Sequence, residues 1–276
     1  MPENFPPYRL GVCSWSLQPA TIDGLEGDLS ELGVSGVQLA LAPLLESADV
    51  WAEAIERLRQ GGFEVFSGML EACGEDYSSL EAIKATGGVV PDETWPQTLA
   101  RAKAVASLAM EYSIPLVTVH AGFIPHEATD PARAKVLERL SVLGDLFAEG
   151  GTKLGLETGQ ESAETLFTAL EALDHPNIGV NFDPANMILY GMGDPVEAIT
   201  ALAPFVLQVH AKDALPTSEP GTWGTEVPLG DGAVDWDAFL SVVSSLDPAV
   251  NVMIERESGD QRAVDIKTAH KRLAGA

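Results

Sequence analysis

The chain has 276 residues, 46% of them hydrophobic, and a mean hydropathy of +0.09, which excludes a disordered polymer and suits a large α/β domain. Its formal net charge of -25 repels phosphate backbones and argues against a nucleic-acid partner. No run of about 18 apolar residues marks a membrane span, and two cysteines, Cys13 and Cys73, are too few for a disulfide framework and fit a reducing compartment.

The opening MPENFPPYRL has neither a basic nor an apolar leader region, so no signal peptide is expected and a soluble cytoplasmic protein is the default reading. The first strand is read at RLGVCSW (9–15), followed by a short helical pattern in TIDGLEGDLSELG. The second, GVSGVQLAL (33–41), leads into the helical AEAIERLRQ. A long loop over 71–95 and the helical TLARAKAVASLAMEYS separate the third, FEVFSGML (63–70), from the fourth, IPLVTVHAG (114–122). ARAKVLERLSVLGDLFAEGG and ESAETLFTALEALDHP flank the fifth, KLGLETG (153–159). The sixth is IGVNFDPAN (178–186) and the seventh PFVLQVHAKD (204–213). A second long loop, 213–235, and the helical WDAFLSVVSSLD precede the eighth, NVMIERES (251–258), and RAVDIKTAHKRLAG closes the chain. The strands are short and rich in Val, Ile, Leu and Phe, while the helical segments repeat apolar residues every three or four positions. Eight strands alternating with helical segments, seven of which are picked out, predict a (β/α)8 TIM barrel, one domain over residues 1–276. A doubly wound open sheet has the same alternation, but neither G-x-G-x-x-G nor G-x-x-x-x-G-K-S/T follows the first strand. Both long loops follow the C-terminal ends of strands, where barrel active sites sit.

Alternation inside the strands is the informative signal. In the fifth, Leu154 and Leu156 oppose Gly155, Glu157 and Gly159; in the sixth, Val180 and Phe182 oppose Asn181 and Asp183. In the seventh, Leu207 and Val209 oppose Gln208, His210 and Lys212; in the eighth, Val252 and Ile254 oppose Met253, Glu255 and Glu257. The apolar faces are expected to meet the helices and the polar faces to point into the barrel, bringing Glu157, Asp183, His210 and Glu255 to one mouth. Three carboxylates buried together cost several kcal/mol or become protonated unless a cation compensates them. Three carboxylates with one imidazole are a mainly hard donor set, suited to one Mn²⁺ ion, with Mg²⁺ or Co²⁺ as alternatives and zinc less suited. Each residue alone has an ordinary explanation: a helix cap for Glu157, a turn at Asp183-Pro184, a structural histidine, and a Glu255 not distinguished from Glu257 by face. Four in phase on consecutive strands favour the metal site.

ETG at Glu157, NFDPAN at Asp183, VHAKD at His210, IERE at Glu255 and the following-loop PLGDGAVDW resemble the xylose isomerase-like barrels, a superfamily of sugar isomerases and epimerases. The resemblance implies that Glu157, Asp183, His210 and Glu255 ligate a single Mn²⁺, Mg²⁺ or Co²⁺, and that Glu157 and Glu255 also act as acid and base, moving a proton through an enediolate. It implies a sugar, keto-sugar or polyol substrate. A lyase that expels water, as inosose dehydratases do, is the alternative, and a non-catalytic sugar-binding barrel a third. Asn186 stands where epimerases of the family carry histidine, Gln38 stands where many members carry Glu, and the Pro-Gly-Arg segment of hydroxypyruvate isomerases is replaced by Ala214, Leu215 and Pro216. Too few histidines are present for the three-zinc site of the endonuclease IV group.

Asn186 joins a set of candidate substrate contacts with His120, Lys212, Trp15 and Glu71. His120 either reaches substrate at the mouth or packs in the core. Lys212 either meets a substrate oxygen or pairs with a carboxylate. Trp15, sharing the inward face of the first strand with Cys13, either stacks on a sugar ring or fills the core. Glu71 and Asp231 either contact substrate or are a solvated loop carboxylate and a turn residue. Nothing in the sequence fixes an oligomeric state, and a homo-oligomer is left open.

Overall fold

The computed structural model describes residues 8–219, 221–246 and 250–275. The residues ahead of Tyr8, read for a leader, and Asp247, read as the end of a helix, lie outside them. Ten strands occur among the described residues: β1 (Arg9–Cys13), β2 (Gly36–Ala40), β3 (Glu64–Leu70), β4 (Leu116–His120), β5 (Lys153–Glu157), β6 (Ile178–Phe182), β7 (Val206–Ala211), β8 (Asp213–Leu215), β9 (Thr225–Val227) and β10 (Asn251–Ile254). All but β8 and β9 are parallel and close into a barrel in the order β1-β10-β7-β6-β5-β4-β3-β2.

The alternation read from the sequence sets which side faces where. Leu154, Leu156, Val180, Phe182, Val209 and Val252 are fully buried, in the layer between strands and helices. Gln38, Ser67, Thr118, Asn181 and Gln208 are equally buried but on the inside. There they hydrogen-bond one another: Ser67 Oγ donates to Gln208 (2.8 Å), Gln208 to Gln38 (3.0 Å) and Asn181 (3.1 Å), and Gln38 to Thr118 (2.8 Å). Burial of these groups is tolerable because each finds a partner.

The strands end earlier than the apolar runs suggest, and this shapes the mouth. β1 stops at Cys13 and the chain turns into the one-turn helix Ser14–Leu17, so Trp15 leaves the inward strand face expected for it. β6 and β10 stop at Phe182 and Ile254, leaving Asp183 and Glu255 as the first residues beyond the ladder.

The crossovers are more divided than one helix each. Thr21 caps Ile22–Leu32 through Gly24 N, as the first helical pattern requires. Short helices Ala42–Glu46 and Ala48–Trp51 precede Ala54–Gln60, and Leu80–Thr86 lies inside the long loop after β3. Between β6 and β7, periodicity picks out no helix, yet Pro184–Leu189 and Pro195–Leu202 stand there. Both begin with Asp-Pro, where the aspartate caps and proline opens the first turn; the first helix is only six residues, too short to show a period.

The second long loop is not irregular throughout: β8 and β9 pair antiparallel as a hairpin, Asp213 opposite Val227. Asp213, 1% exposed, anchors it. Its two oxygens accept hydrogen bonds from the backbone of Ala214, Gly230, Gly232 and Val234 and from Trp236 Nε1. A Cβ on Gly232 would stand 2.0 Å from Asp213 Oδ1, so only glycine lets the loop wrap this carboxylate. No helix among the described residues is long and apolar enough to cross a membrane.

Candidate metal centre

Glu157 ends β5, Asp183 caps the helix after β6, His210 is on β7 and Glu255 follows β10. One donor atom from each lies within 4.8 Å of the others, and none of the four residues is more than 6% exposed. His210 Nδ1 is 3.3 Å from Glu255 Oε2, 3.6 Å from Glu157 Oε1 and 3.7 Å from Asp183 Oδ2. Nδ1 and Asp183 Oδ2 are both buried without a hydrogen-bond partner. On the other side of the ring, Nε2 lies 2.8 Å from Gln38 Oε1. Gln38 Nε2 is committed to Thr118, so its oxygen faces Nε2 and accepts a ring proton there, with Asn181 Nδ2 also 3.1 Å from that nitrogen; Nδ1 faces the carboxylates. Two unpartnered acceptors facing two more carboxylates fit a divalent cation in their midst.

The fields point the same way. Burial pushes Glu157 up, but His120 and His210 more than offset it and hold the carboxyl below its usual range. Burial likewise opposes ionisation of Glu255, and Lys212 and His210 bring it well below that range. Asp183 is instead raised, because burial outweighs Lys212 and His210. Burial works against a charged His210, yet Glu255 and Glu157 draw it well above its usual value: the pocket attracts positive charge to Nδ1, and a metal ion competes for the same lone pair. Cys13 stands behind this ring, with Sγ 3.8 Å from Nε2. Burial pushes its thiol up to about 12, so it stays protonated and is a poor donor.

The candidate substrate residues divide. Lys212 meets carboxylates: Nζ donates to Glu255 Oε2 (2.9 Å) and Glu257 Oε2 (2.6 Å), and lies 3.6 Å from Asp183 Oδ2. Trp15 Nε1 donates to the other oxygen of Glu255 at 2.7 Å. Asn186 Nδ2 donates to Glu157 Oε1 (3.0 Å), and its Oδ1 accepts from Lys212 at 3.4 Å. These three therefore hold the two glutamates in place. Gly159 makes room for this: with φ +135°, it backs onto Asn186, whose Cβ would be 2.4 Å from any added Cβ. His120 lies at the mouth, Nε2 3.7 Å from Glu157 Oε1 and Nδ1 unpartnered. Glu71 stands away from the four donors, exposed and 3.8 Å from Arg101. Asp231 only closes a turn, its N–H donating to Pro228 O.

A cavity of about 400 Å³ opens over the donors, walled by Trp15, His120, Tyr190, Trp223 and Glu226 among others. Tyr190 and Trp223 stack edge to face with centroids 4.8 Å apart. Neither aromatic was legible as a wall: Tyr190 follows a helix without a periodic signal, and Trp223 depends on how the hairpin folds back. Asn181, whose Nδ2 is 3.4 Å from Glu157 Oε2, and Gln38 were visible as inward polar residues, but their partners were not.

The family description that matches residues 27–275 is the xylose isomerase-like TIM barrel. A xylose isomerase domain protein from Planctomyces limnophilus is 30% identical, with a TM-score of 0.85 over 98% of this chain and 96% of its own. The probable 3-DHS dehydratase AsbF of Bacillus anthracis is 19% identical, with a TM-score of 0.71 over 96% of this chain and 98% of its own. The 3-keto-D-glucoside 4-epimerase YcjR of E. coli is 15% identical, with a TM-score of 0.70 over the same shares, and these last two likenesses are of fold alone. Uncharacterized protein YihM of Escherichia coli is 27% identical over 104 residues, 37% of this chain but only 32% of its own length.

Proposed function

The chain belongs to the xylose isomerase-like TIM barrel family, and we propose that it is a divalent-metal-dependent isomerase or epimerase of a sugar, keto-sugar or polyol. The observation that supports this most is the buried, unpartnered pair His210 Nδ1 and Asp183 Oδ2, set against the carboxylates of Glu157 and Glu255. Glu157, Asp183, His210 and Glu255 would hold the ion, Mn²⁺ by preference, with Mg²⁺ or Co²⁺ as alternatives. When bound, the ion supplies Lewis acidity that polarises a substrate carbonyl and stabilises developing negative charge.

The protein groups move the proton. Glu157 and Glu255 come from strands separated in the barrel by β6 and β7, so they reach the cavity from different directions. One takes the proton from the carbon between a carbonyl and a hydroxyl, leaving an enediolate, and the other returns a proton. Both are ionised at neutral pH. Lys212 and Trp15 hold both oxygens of Glu255, and Asn181 and Asn186 those of Glu157, which fixes the carboxylates toward the substrate. His120 is placed to donate to a substrate oxygen beside Glu157.

Solvent D₂O exchange across a panel of ketoses and inososes, with and without Mn²⁺, tests this. Metal-dependent deuterium incorporation without loss of mass is expected. Absence of stoichiometric metal in Mn²⁺-soaked protein, together with no effect of Glu157→Gln, refutes it. The same carboxylates would serve a lyase, a reading supported by the likeness in fold to a probable dehydratase. A product lighter by one water identifies that outcome.

A further inference from the structure

A second cavity of about 610 Å³ opens beside the one over the carboxylates. The two share Trp15, Met69, Tyr77, His120 and Glu257 as walls, so they are lobes of one cleft. Each lobe alone falls in the range of roughly 300–1,000 Å³ seen for small-molecule sites. A ring whose reacting carbon lies against Glu157 and Glu255 occupies the inner lobe. The outer lobe is left to whatever that ring carries.

The outer lobe has a definite chemistry. Its aromatic walls are Trp15, Trp51 and Tyr77, and Tyr77 is 48% exposed, a large ring held out to water at the opening. Its ionisable walls, apart from His120, are Glu46, Glu71, Glu75 and Glu257, and no lysine or arginine among the described residues lines it. Arg101, the cation paired with Glu46 (2.5 Å) and set 3.8 Å from Glu71, is not itself a wall. In the inner lobe Lys212 is already engaged by Glu255 and Glu257. A phosphate or carboxylate brought here meets four like charges, and the one basic side chain in the wall, His120, already lies 3.7 Å from Glu157 Oε1. A hydroxyl-bearing ring meets the opposite conditions: aromatic faces take its C–H faces, and carboxylates accept from its hydroxyls.

We infer that the outer lobe is a subsite for an uncharged second sugar ring, so that the substrate is a glycoside of the reacting sugar rather than a free or phosphorylated monosaccharide. This rests on the reading of the inner lobe as a sugar isomerase or epimerase site. It also gives Glu71 its place: a wall of the outer lobe, away from the donors.

Calorimetric titration of the Mn²⁺-loaded protein tests the inference, with fructose, fructose 6-phosphate and the ketose disaccharides turanose, leucrose and isomaltulose, which carry a glucose ring at different oxygens of fructose. At least one disaccharide is expected to bind about tenfold or more tighter than fructose, and fructose 6-phosphate more weakly than fructose. Ala40→Phe, which fills the outer lobe from the end of β2, is expected to bring the disaccharide-to-fructose affinity ratio to about one. Tyr77→Ala, at an exposed position that does not endanger the fold, is expected to lower the same ratio. If fructose binds and no disaccharide binds tighter, or the phosphate ester binds best, the subsite is refuted while the isomerase reading stands. If no saccharide binds, the subsite is refuted, and the isomerase reading is decided separately by the deuterium exchange.

Discussion

Replacing Asp213 by asparagine should detach the loop that closes over the barrel mouth. Oδ1 accepts from Ala214 N (2.9 Å) and Val234 N (3.3 Å), and Oδ2 from Gly230 N (2.8 Å), Gly232 N (3.2 Å) and Trp236 Nε1 (2.8 Å). Asparagine keeps the shape but turns one oxygen into a donor. Whichever way the amide lies, at least two N–H groups lose their acceptor and face another N–H. Hydrogen bonds to a charged group contribute about 1.5–3 kcal/mol each, and a buried unsatisfied donor costs about as much. A loss of about 3–4 kcal/mol follows, and a fall in Tm of roughly 5–7 °C for a domain of this size. Urea unfolding should show a lower midpoint at unchanged slope. Limited proteolysis should cut the variant first between β8 and β9. A loss below about 1 kcal/mol, with no new cleavage, would refute the assignment of Asp213 as the anchor.

Glu157→Gln and Glu255→Gln should each lower proton exchange by about 10²–10⁴-fold while the circular dichroism of the fold is unchanged. Gln38→Leu, which removes the oxygen 2.8 Å from His210 Nε2 without touching the carboxylates, should weaken metal binding by about 10–100-fold in a chelator competition. Glu161 gives a pH test away from the metal ligands. Burial raises its carboxyl from 4.5 to about 8, so it is neutral in the folded protein and ionises readily in the unfolded chain. Its contribution to stability is therefore complete below pH 4.5 and is lost as pH rises through about 8, a swing of roughly 5 kcal/mol. Glu161→Gln should flatten the fall in urea midpoint over that interval; a parallel fall in the variant would show that Glu161 is not its source.

The barrel was legible because each inner strand face pairs with an outer apolar one, and that alternation survives in single residues such as Leu154 and Leu156 against Glu157. The four donors were legible for the same reason: Glu157, Asp183, His210 and Glu255 share a phase. What alternation does not carry is the point where a strand stops. Alternation puts Trp15 on an inward strand face, whereas the chain has already turned helical and its indole reaches Glu255 from the mouth. Nor does it carry pairing at a distance. Local pattern leaves Lys212 between substrate and carboxylate, because its partners Glu255 and Glu257 lie more than forty positions later. No local pattern marks Asp213, because the amides around it come from a loop whose path is not encoded nearby.

The amides and hydroxyls inside the barrel also constrain how such a chain can drift. Gln208 touches Ser67, Gln38 and Asn181 at once, and Gln38 in turn sets the ring of His210. An apolar replacement at any one of these positions strands the partners of the lost group inside a space closed to water. Single steps are thus disfavoured, and change must come in compensated pairs. Positions 38, 67, 118, 181 and 208 should therefore covary among relatives, and a metal-binding mouth grafted onto a barrel with a different interior should bind its ion poorly unless these residues move with it.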